Sequence, residues 1–212
     1  GRVYVFYWYN FNGVPLRDAG NIVFRYSDDD GLTWSDRFRV GVPRTAMDDA
    51  TGDLHGWNFG QPRLLPTGQV LMTYAKIRRS SLYPKGWRLD AQNQWQPEPG
   101  ADPATKPANE QGGSPNNWCT EVFFIELGNI LTETDPAKLK FRFLPEGDEG
   151  LWVPYPETDR HFGQEGTLVG LSGGRLLCVF RSRLGHPFYS ISADRGATWS
   201  TPEVLFDGPE DD

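Results

Sequence analysis

The chain has 212 residues, of which 24 are glycine and 17 are proline, and 14% are aromatic. Frequent turn residues together with frequent aromatic residues favour short strands and disfavour long helices. The net charge is −7 and no basic stripe follows the chain, so a nucleic-acid partner is not expected. No run approaches the roughly 20 apolar residues needed to cross a bilayer, and no membrane span is predicted.

Alternating apolar positions and glycine turns predict three groups of strands in chain order. The strands lie near 2–9, 20–26 and 37–42; near 59–65, 69–77, 119–127 and 138–144; and near 164–171, 175–183, 187–192 and 202–206. Repeated four-stranded antiparallel units favour an all-β fold, a β-propeller. We expect residues 1–212 to be a single propeller domain of about three blades, cut from a longer protein at both ends. The Pro-rich stretch 79–117 is expected to be a loop insertion within it.

A nine-residue segment at 27–35 recurs at 192–200. In each copy we expect an aspartate to bind turn amides, a glycine to adopt a positive φ, and a tryptophan to pin the turn to its sheet. The matched structural residues are Asp29, Gly31 and Trp34 in the first copy, and Asp194, Gly196 and Trp199 in the second.

This repeated turn is the Asp-box, and its arrangement resembles that of the sialidase (neuraminidase) superfamily. The resemblance covers nearly the whole chain outside 79–117 and implies part of a six-bladed propeller. Asp-boxes also occur in non-catalytic propellers and in other exo-glycosidases, so they imply a structural role rather than an activity.

Two further segments resemble the catalytic motifs of bacterial sialidases. Asp18-Ala19-Gly20-Asn21-Ile22 resembles the segment that holds a catalytic aspartate, although it lies about two residues nearer the Asp-box. Glu165, followed by Gly173-Gly174-Arg175-Leu176-Leu177 and then Arg181, resembles the segment that holds a glutamate and an arginine; Gly166 stands where the family often has proline.

The resemblance implies a role for each of these residues. Asp18 would be the general acid and Glu165 the base that activates a tyrosine nucleophile. Arg181 would be one of three arginines that bind the substrate carboxylate. The family places the tyrosine and the other two arginines in segments that match nothing between residues 1 and 212, so this piece alone is expected to be inactive.

The hairpin geometry tests part of this assignment without the family. A three-residue loop at Ser172–Gly174 predicts that Glu165 lies directly opposite Arg181. An arginine within an apolar strand requires a carboxylate or a ligand anion, so a purely structural ion pair is the alternative. Strand alternation puts Arg183 on the same face as Arg181.

Connectivity places Asp18, Glu165 and Arg181 at the strand ends opposite the Asp-boxes, where long loops usually carry binding residues. Further residues expected at this end are Trp57, Asn58, Gln61 and Trp118 as substrate contacts, with His55, Trp87, Trp95, Tyr155, Asp159 and His161 as other candidates. The tryptophans of 79–117 equally suit a structural role within the insertion.

The resemblance implies an exo-α-sialidase that releases terminal sialic acid from glycoconjugates. The alternatives are another carbohydrate-active propeller enzyme and a non-catalytic propeller that binds glycan or protein. A secreted or periplasmic location is expected from the whereabouts of such substrates.

No metal is expected, because Asp48, Asp49 and Asp53 lack the spacing of a calcium loop. No cofactor is expected either. Cys119 and Cys178 are expected to be buried, and the sequence leaves open whether a disulfide joins them.

Overall fold

A computed structural model describes residues 1–9, 22–43, 55–57, 60–79, 87–89, 95–97, 99–105, 118–155 and 161–206. The strands are β1 (Val3–Trp8), β2 (Ile22–Ser27), β3 (Phe38–Val40), β4 (His55–Trp57), β5 (Arg63–Leu64), β6 (Val70–Arg79), β7 (Trp87–Leu89), β8 (Trp95–Pro97), β9 (Trp118–Leu127), β10 (Phe141–Leu144), β11 (Val153–Pro154), β12 (His161–Phe162), β13 (Gln164–Gly170), β14 (Leu176–Arg181), β15 (Pro187–Ser192) and β16 (Glu203–Val204). Within these ranges the only helices are short 3-10 turns, at Pro103–Thr105, Pro136–Lys138 and Ser172–Gly174. None of these turns is long or apolar enough to cross a membrane.

The strands form three main antiparallel sheets, which we call blades 1, 2 and 3. Blade 1 has the order β1-β2-β3, blade 2 the order β10-β9-β6-β4 with β5 also paired to β6, and blade 3 the order β13-β14-β15-β16. Hairpin-connected sheets of this kind are the units of a β-propeller, so the all-β prediction is confirmed. Each predicted strand has an observed counterpart.

The inner edge of blade 2 differs from the prediction of one strand near 59–65. Two short strands, β4 and β5, pair with β6 on either side of Gly60, whose amide donates to the carbonyl of Thr73 at 2.9 Å. A Cβ at Gly60 would stand 2.5 Å from Thr73 Oγ1, so the strand is interrupted where the backbone approaches a neighbouring side chain.

Two hydrophobic clusters join the blades, and β9 contributes to both. Phe123 and Ile125 pack with Ile22 and Phe24 of blade 1. Val122 and Phe124 alternate with them and pack against blade 3, in the cluster that also holds Leu168, Leu176, Cys178 and Phe180. Blade 2 is therefore buried on both faces, which explains the continuous apolar run of β9.

The strand registers define two ends for each blade. In blade 3, Leu176 pairs with Gly170 and Ser192 at the end that carries the 192–200 turn. Arg181 pairs with Gln164 and Pro187 at the other end. In blade 1 the 27–35 turn likewise follows the end of β2 that pairs with Val3.

The insertion predicted at 79–117 lies between β6, which runs through Arg79, and β9, which begins at Trp118. Its described parts are the hairpin of β7 and β8 and the turn at Pro103–Thr105.

Both cysteines are buried, and both are free. Cys119 lies on β9 of blade 2 and Cys178 on β14 of blade 3, so no disulfide joins them. Burial raises the pKa of the Cys178 thiol, which keeps it protonated.

Candidate active site

A β-bulge at the start of β13 sets the position of Glu165. The ladder pairs Gln164 with Arg181 and resumes at Thr167 with Val179, so Glu165 and Gly166 together face Phe180. The prediction that Glu165 lies directly opposite Arg181 is therefore wrong, because the bulge inserts one residue between the hairpin loop and this point. Beyond the bulge the pairing follows the predicted register, since Leu168 faces Cys178.

The bulge holds Glu165 in the left-handed region, with φ of 55°. For a residue other than glycine this conformation costs about 1–3 kcal/mol. Its carboxylate reaches Arg181 despite the register shift: Arg181 Nη1 donates to Glu165 Oε1 at 3.0 Å. The two side chains are 48% and 55% exposed, and an ion pair so exposed contributes only about 0–1 kcal/mol. The pair thus does not by itself offset the backbone strain.

A second arginine approaches the same ring as Arg181. The guanidinium carbons of Arg181 and Arg183 lie 6.0 Å and 4.9 Å from the centre of the Phe162 ring. β14 ends at Arg181, so Arg183 belongs to the following turn and strand alternation does not place it. Ser182 shapes that turn, donating from Oγ to the His186 carbonyl at 2.7 Å. Two guanidinium groups near one aromatic ring, one of them paired with a carboxylate, make this corner suited to an anionic ligand.

The remaining predicted site residues are placed only in part. Asp18 and Asn58 lie outside the described residues. Trp57 is the last residue of β4 and Trp118 the first of β9, and only their backbone is described. Gln61 is exposed and lines a cavity of about 930 Å³ between blades 1 and 2, together with Arg2, Tyr4 and Leu64. The structure thus brings together Glu165, Arg181 and Arg183.

The aspartates of the repeated turns have the same hydrogen bonds in both copies. Asp29 Oδ1 accepts from the Thr33 amide at 2.8 Å, and Asp194 Oδ1 accepts from the Thr198 amide at 2.8 Å. Hydrogen bonds from the Thr33 side chain and amide, and from Ser27, lower the pKa of Asp29 to about 2. The glycines have φ values near 90°: Gly31 at 90° and Gly196 at 91°.

A buried charged cluster in blade 2 was not anticipated. Lys76 and Glu121 face each other across β6 and β9 and are 2% and 1% exposed. Glu121 accepts from the Gly150 amide at 2.7 Å and contacts His161 Nε2 at 2.9 Å. The sequence does show a charged residue within each of the two apolar runs. It does not show that these residues pair, because the insertion separates β6 from β9 along the chain.

His161 carries a positive charge in this cluster. Burial disfavours the charge of the imidazole, but interactions with Cys119 and Glu121 outweigh burial and raise the pKa of His161 to about 9. Among the described residues, no group of three histidines, cysteines or carboxylates could hold a metal ion. The cluster is a set of buried charges that compensate one another.

No family model matches the sequence, and no curated protein matches it. Solved structures with a similar fold include a protein of unknown function from Dyadobacter fermentans, 15% identical with a TM-score of 0.47 over 96% of this chain and 46% of that one. The NanB sialidase from Streptococcus pneumoniae is 12% identical with a TM-score of 0.28, over 87% of this chain and 46% of that one. The intramolecular trans-sialidase from Ruminococcus gnavus is 11% identical with a TM-score of 0.29, over 87% of this chain and 64% of that one.

The chain thus spans about half the length of the first two proteins. These likenesses concern the fold, and what the chain does is inferred below from its own side chains.

Proposed function

We propose that the protein containing this chain is an exo-α-sialidase-type glycoside hydrolase, which releases terminal sialic acid from glycoconjugates. The observation that carries the proposal is the half-exposed pair of Glu165 and Arg181 on a strained bulge, at the blade end away from the repeated turns. Strain that exceeds its local compensation is more common at functional sites than elsewhere.

The arginines support an anionic substrate. A guanidinium carries five N–H donors, and the bond to Glu165 uses a donor on Nη1 of Arg181. The remaining donors suit the planar carboxylate of a sialic acid, which arginine binds in a bidentate manner and lysine does not. Arg183, beside the same Phe162 ring, adds positive charge to this corner.

Glu165 suits the role of a base in this reaction. Sialidases use a tyrosine nucleophile, and a neutral hydroxyl approaches the anionic sugar more easily than a carboxylate does. Glu165 would take the tyrosine proton, and Asp18 would protonate the leaving oxygen and then activate water. The sequence motifs assign no such tyrosine within residues 1–212, so the proposal concerns the full-length protein.

The test is the hydrolysis of a fluorogenic sialoside by the full-length protein. We expect Glu165→Gln to lower kcat by about 100-fold or more, as for the loss of a general base. Arg181→Lys should raise KM by about tenfold, because the bidentate contact is lost. Asp18→Asn should lower kcat and be rescued partly on substrates with a good leaving group.

Glu203→Gln is the matched control. Glu203 also pairs with a hydroxyl, accepting from Tyr189 Oη at 2.6 Å, but it lies on the edge strand β16. This contact raises the pKa of Tyr189, which makes that tyrosine a poorer nucleophile. Glu203→Gln should leave turnover unchanged. If folded full-length protein bound sialylated glycan without turnover, the chain would instead belong to a binding propeller.

We further propose a secreted or periplasmic location, because sialylated glycans are displayed outside the cytoplasm. Fractionation of cells that express the full-length protein tests this, and recovery in the cytoplasm alone would contradict it.

A further inference from the structure

We propose that Thr73, on the neighbouring blade, is a positioning residue for Glu165. The proposal rests on the role of Glu165 given above and adds the group that fixes its conformation. Thr73 lies in β6 of blade 2, whereas Glu165 lies in β13 of blade 3. Thr73 Oγ1 donates to the carbonyl of Gly166 at 2.6 Å, in a buried contact between residues 93 positions apart.

The bulge creates the need for this contact. Gly166 is buried and has no ladder pair, because the register passes from Gln164 directly to Thr167. A buried carbonyl without a partner is unfavourable, so the bulge requires a donor from outside its own sheet. The Thr73 hydroxyl supplies it on the peptide that follows Glu165.

A third residue also contacts the Thr73 hydroxyl. The Gly60 amide, which donates to the Thr73 carbonyl at 2.9 Å, also donates to Thr73 Oγ1 at 3.2 Å. Because a carbonyl only accepts, the single proton of the hydroxyl is directed to the Gly166 carbonyl. Thr73 thus links Gly60, which lies between β4 and β5 of blade 2, to the bulge of blade 3.

Close packing restricts the movement of the hydrogen-bonded groups of Gly60, Thr73 and Gly166. A Cβ at Gly166 would stand 2.7 Å from Val122 Cγ1 and 3.3 Å from Thr73 Cγ2. A Cβ at Gly60 would stand 3.3 Å from the Gly166 carbonyl. The bulge therefore has little room to relax toward a regular ladder, in which Glu165 would lose its left-handed conformation and lie directly opposite Arg181.

The experiment compares Thr73→Ser with Thr73→Ala in the full-length protein. Both variants lose the methyl group, and they differ only in the hydroxyl. We expect Thr73→Ala to lower kcat on a sialoside by about 10- to 100-fold with little change in KM, as for a displaced catalytic group. The kcat of Thr73→Ser should stay within about threefold of that of the wild type, because the serine hydroxyl retains the hydrogen bond to the Gly166 carbonyl.

Hydrogen exchange measured by mass spectrometry reports the conformational stability of the bulge independently of catalytic turnover. In Thr73→Ala the amides of 164–167 should exchange at least tenfold faster, while those of β15 are unchanged. Thr120→Ala is the control: Thr120 is equally buried in blade 2, and its hydroxyl meets Gly163 rather than the bulge. It should leave both kcat and the exchange of 164–167 near wild type.

The two readouts separate this proposal from the proposed function. If the wild type cleaves no sialoside, the exchange data alone decide whether Thr73 fixes the bulge. Unchanged exchange in Thr73→Ala overturns the proposal, as does faster exchange with unchanged kcat, or an equal loss in Thr73→Ser. If Thr73→Ala yields no folded protein, Thr73→Val, which also removes the donor, replaces it under the same criteria.

Discussion

The carboxylate of Glu121 is more deeply buried than the charged groups of Glu165 and Arg181 at the candidate site. It is 1% exposed, and its oxygens are occupied by the Gly150 amide and by His161. A buried charge is tolerated when it is paired and hydrogen-bonded, and removal of one partner exposes the full cost of burying the other. At the residue scale, then, the protonation of His161 adds to the compensation of Glu121, which also faces Lys76 across the ladder.

We predict that stability falls as the pH rises through 9. The folded pKa of His161 is about 9, above the ordinary value of 6.5, so the imidazolium contributes fully below pH 6.5 and its contribution is lost as the pH passes 9. The loss should be on the order of 2–3 kcal/mol, seen in urea unfolding at pH 6 and pH 9.5. His161→Gln should abolish this component, whereas His186→Gln should retain it. Equal pH dependence in both variants would refute the assignment.

The two repeated turns show how one element behaves in two settings. The hydrogen bonds of their aspartates match, but the tryptophans do not have the same surroundings. Trp199 stacks on Phe124 of blade 2 with ring centres 4.5 Å apart, whereas Trp34 remains 39% exposed. The turn is therefore a self-contained unit, and its tryptophan contributes more to the stability of the molecule where another blade covers it.

Trp199→Ala should consequently cost more than Trp34→Ala. We expect a loss of about 3 kcal/mol in the free energy of unfolding for Trp199, and about 1 kcal/mol or less for Trp34. Urea titrations followed by circular dichroism measure both losses. Equal losses would show that the turn, and not the contact with Phe124, determines the effect.

At the element scale, local sequence patterns predict some features of the fold and not others. Local period and glycine position were enough for most strands of the blades and for the Ser172–Gly174 loop, but not for the break at Gly60 in the strand predicted near 59–65. They were not enough for the bulge at Glu165, because the donor that satisfies Gly166 belongs to a strand 93 residues away. Nor could they show Lys76 opposite Glu121, since the register between β6 and β9 is set across the insertion. A local sequence pattern cannot predict the contacts between blades, because their partners are far apart along the chain.

The whole molecule depends on β9, whose two faces belong to two different cores. Phe124 and Ile125 are adjacent in sequence and fully buried, but they pack toward blade 3 and blade 1 respectively. Loss of either contact weakens a junction that involves the same strand, so the blades are expected to unfold together rather than separately.

Phe124→Ala and Ile125→Ala should each shift one common unfolding transition. We expect losses of about 3–5 kcal/mol for Phe124 and about 2–5 kcal/mol for Ile125. Tryptophan fluorescence and circular dichroism should report coincident urea midpoints in each variant. Separate midpoints in either variant would mean that the blades are independent units.

The hydrogen bond between Thr73 and Gly166 has a consequence for the order of events during synthesis. Blade 2 leaves the ribosome before blade 3, and a contact between residues 93 apart forms only after both have emerged and docked. Glu165 would therefore acquire its left-handed conformation only when blade 3 docks on blade 2. A nascent chain stalled after translation of Glu165 but before this docking would carry the glutamate without its geometry, so the candidate site would form on assembly rather than on translation of the residue itself.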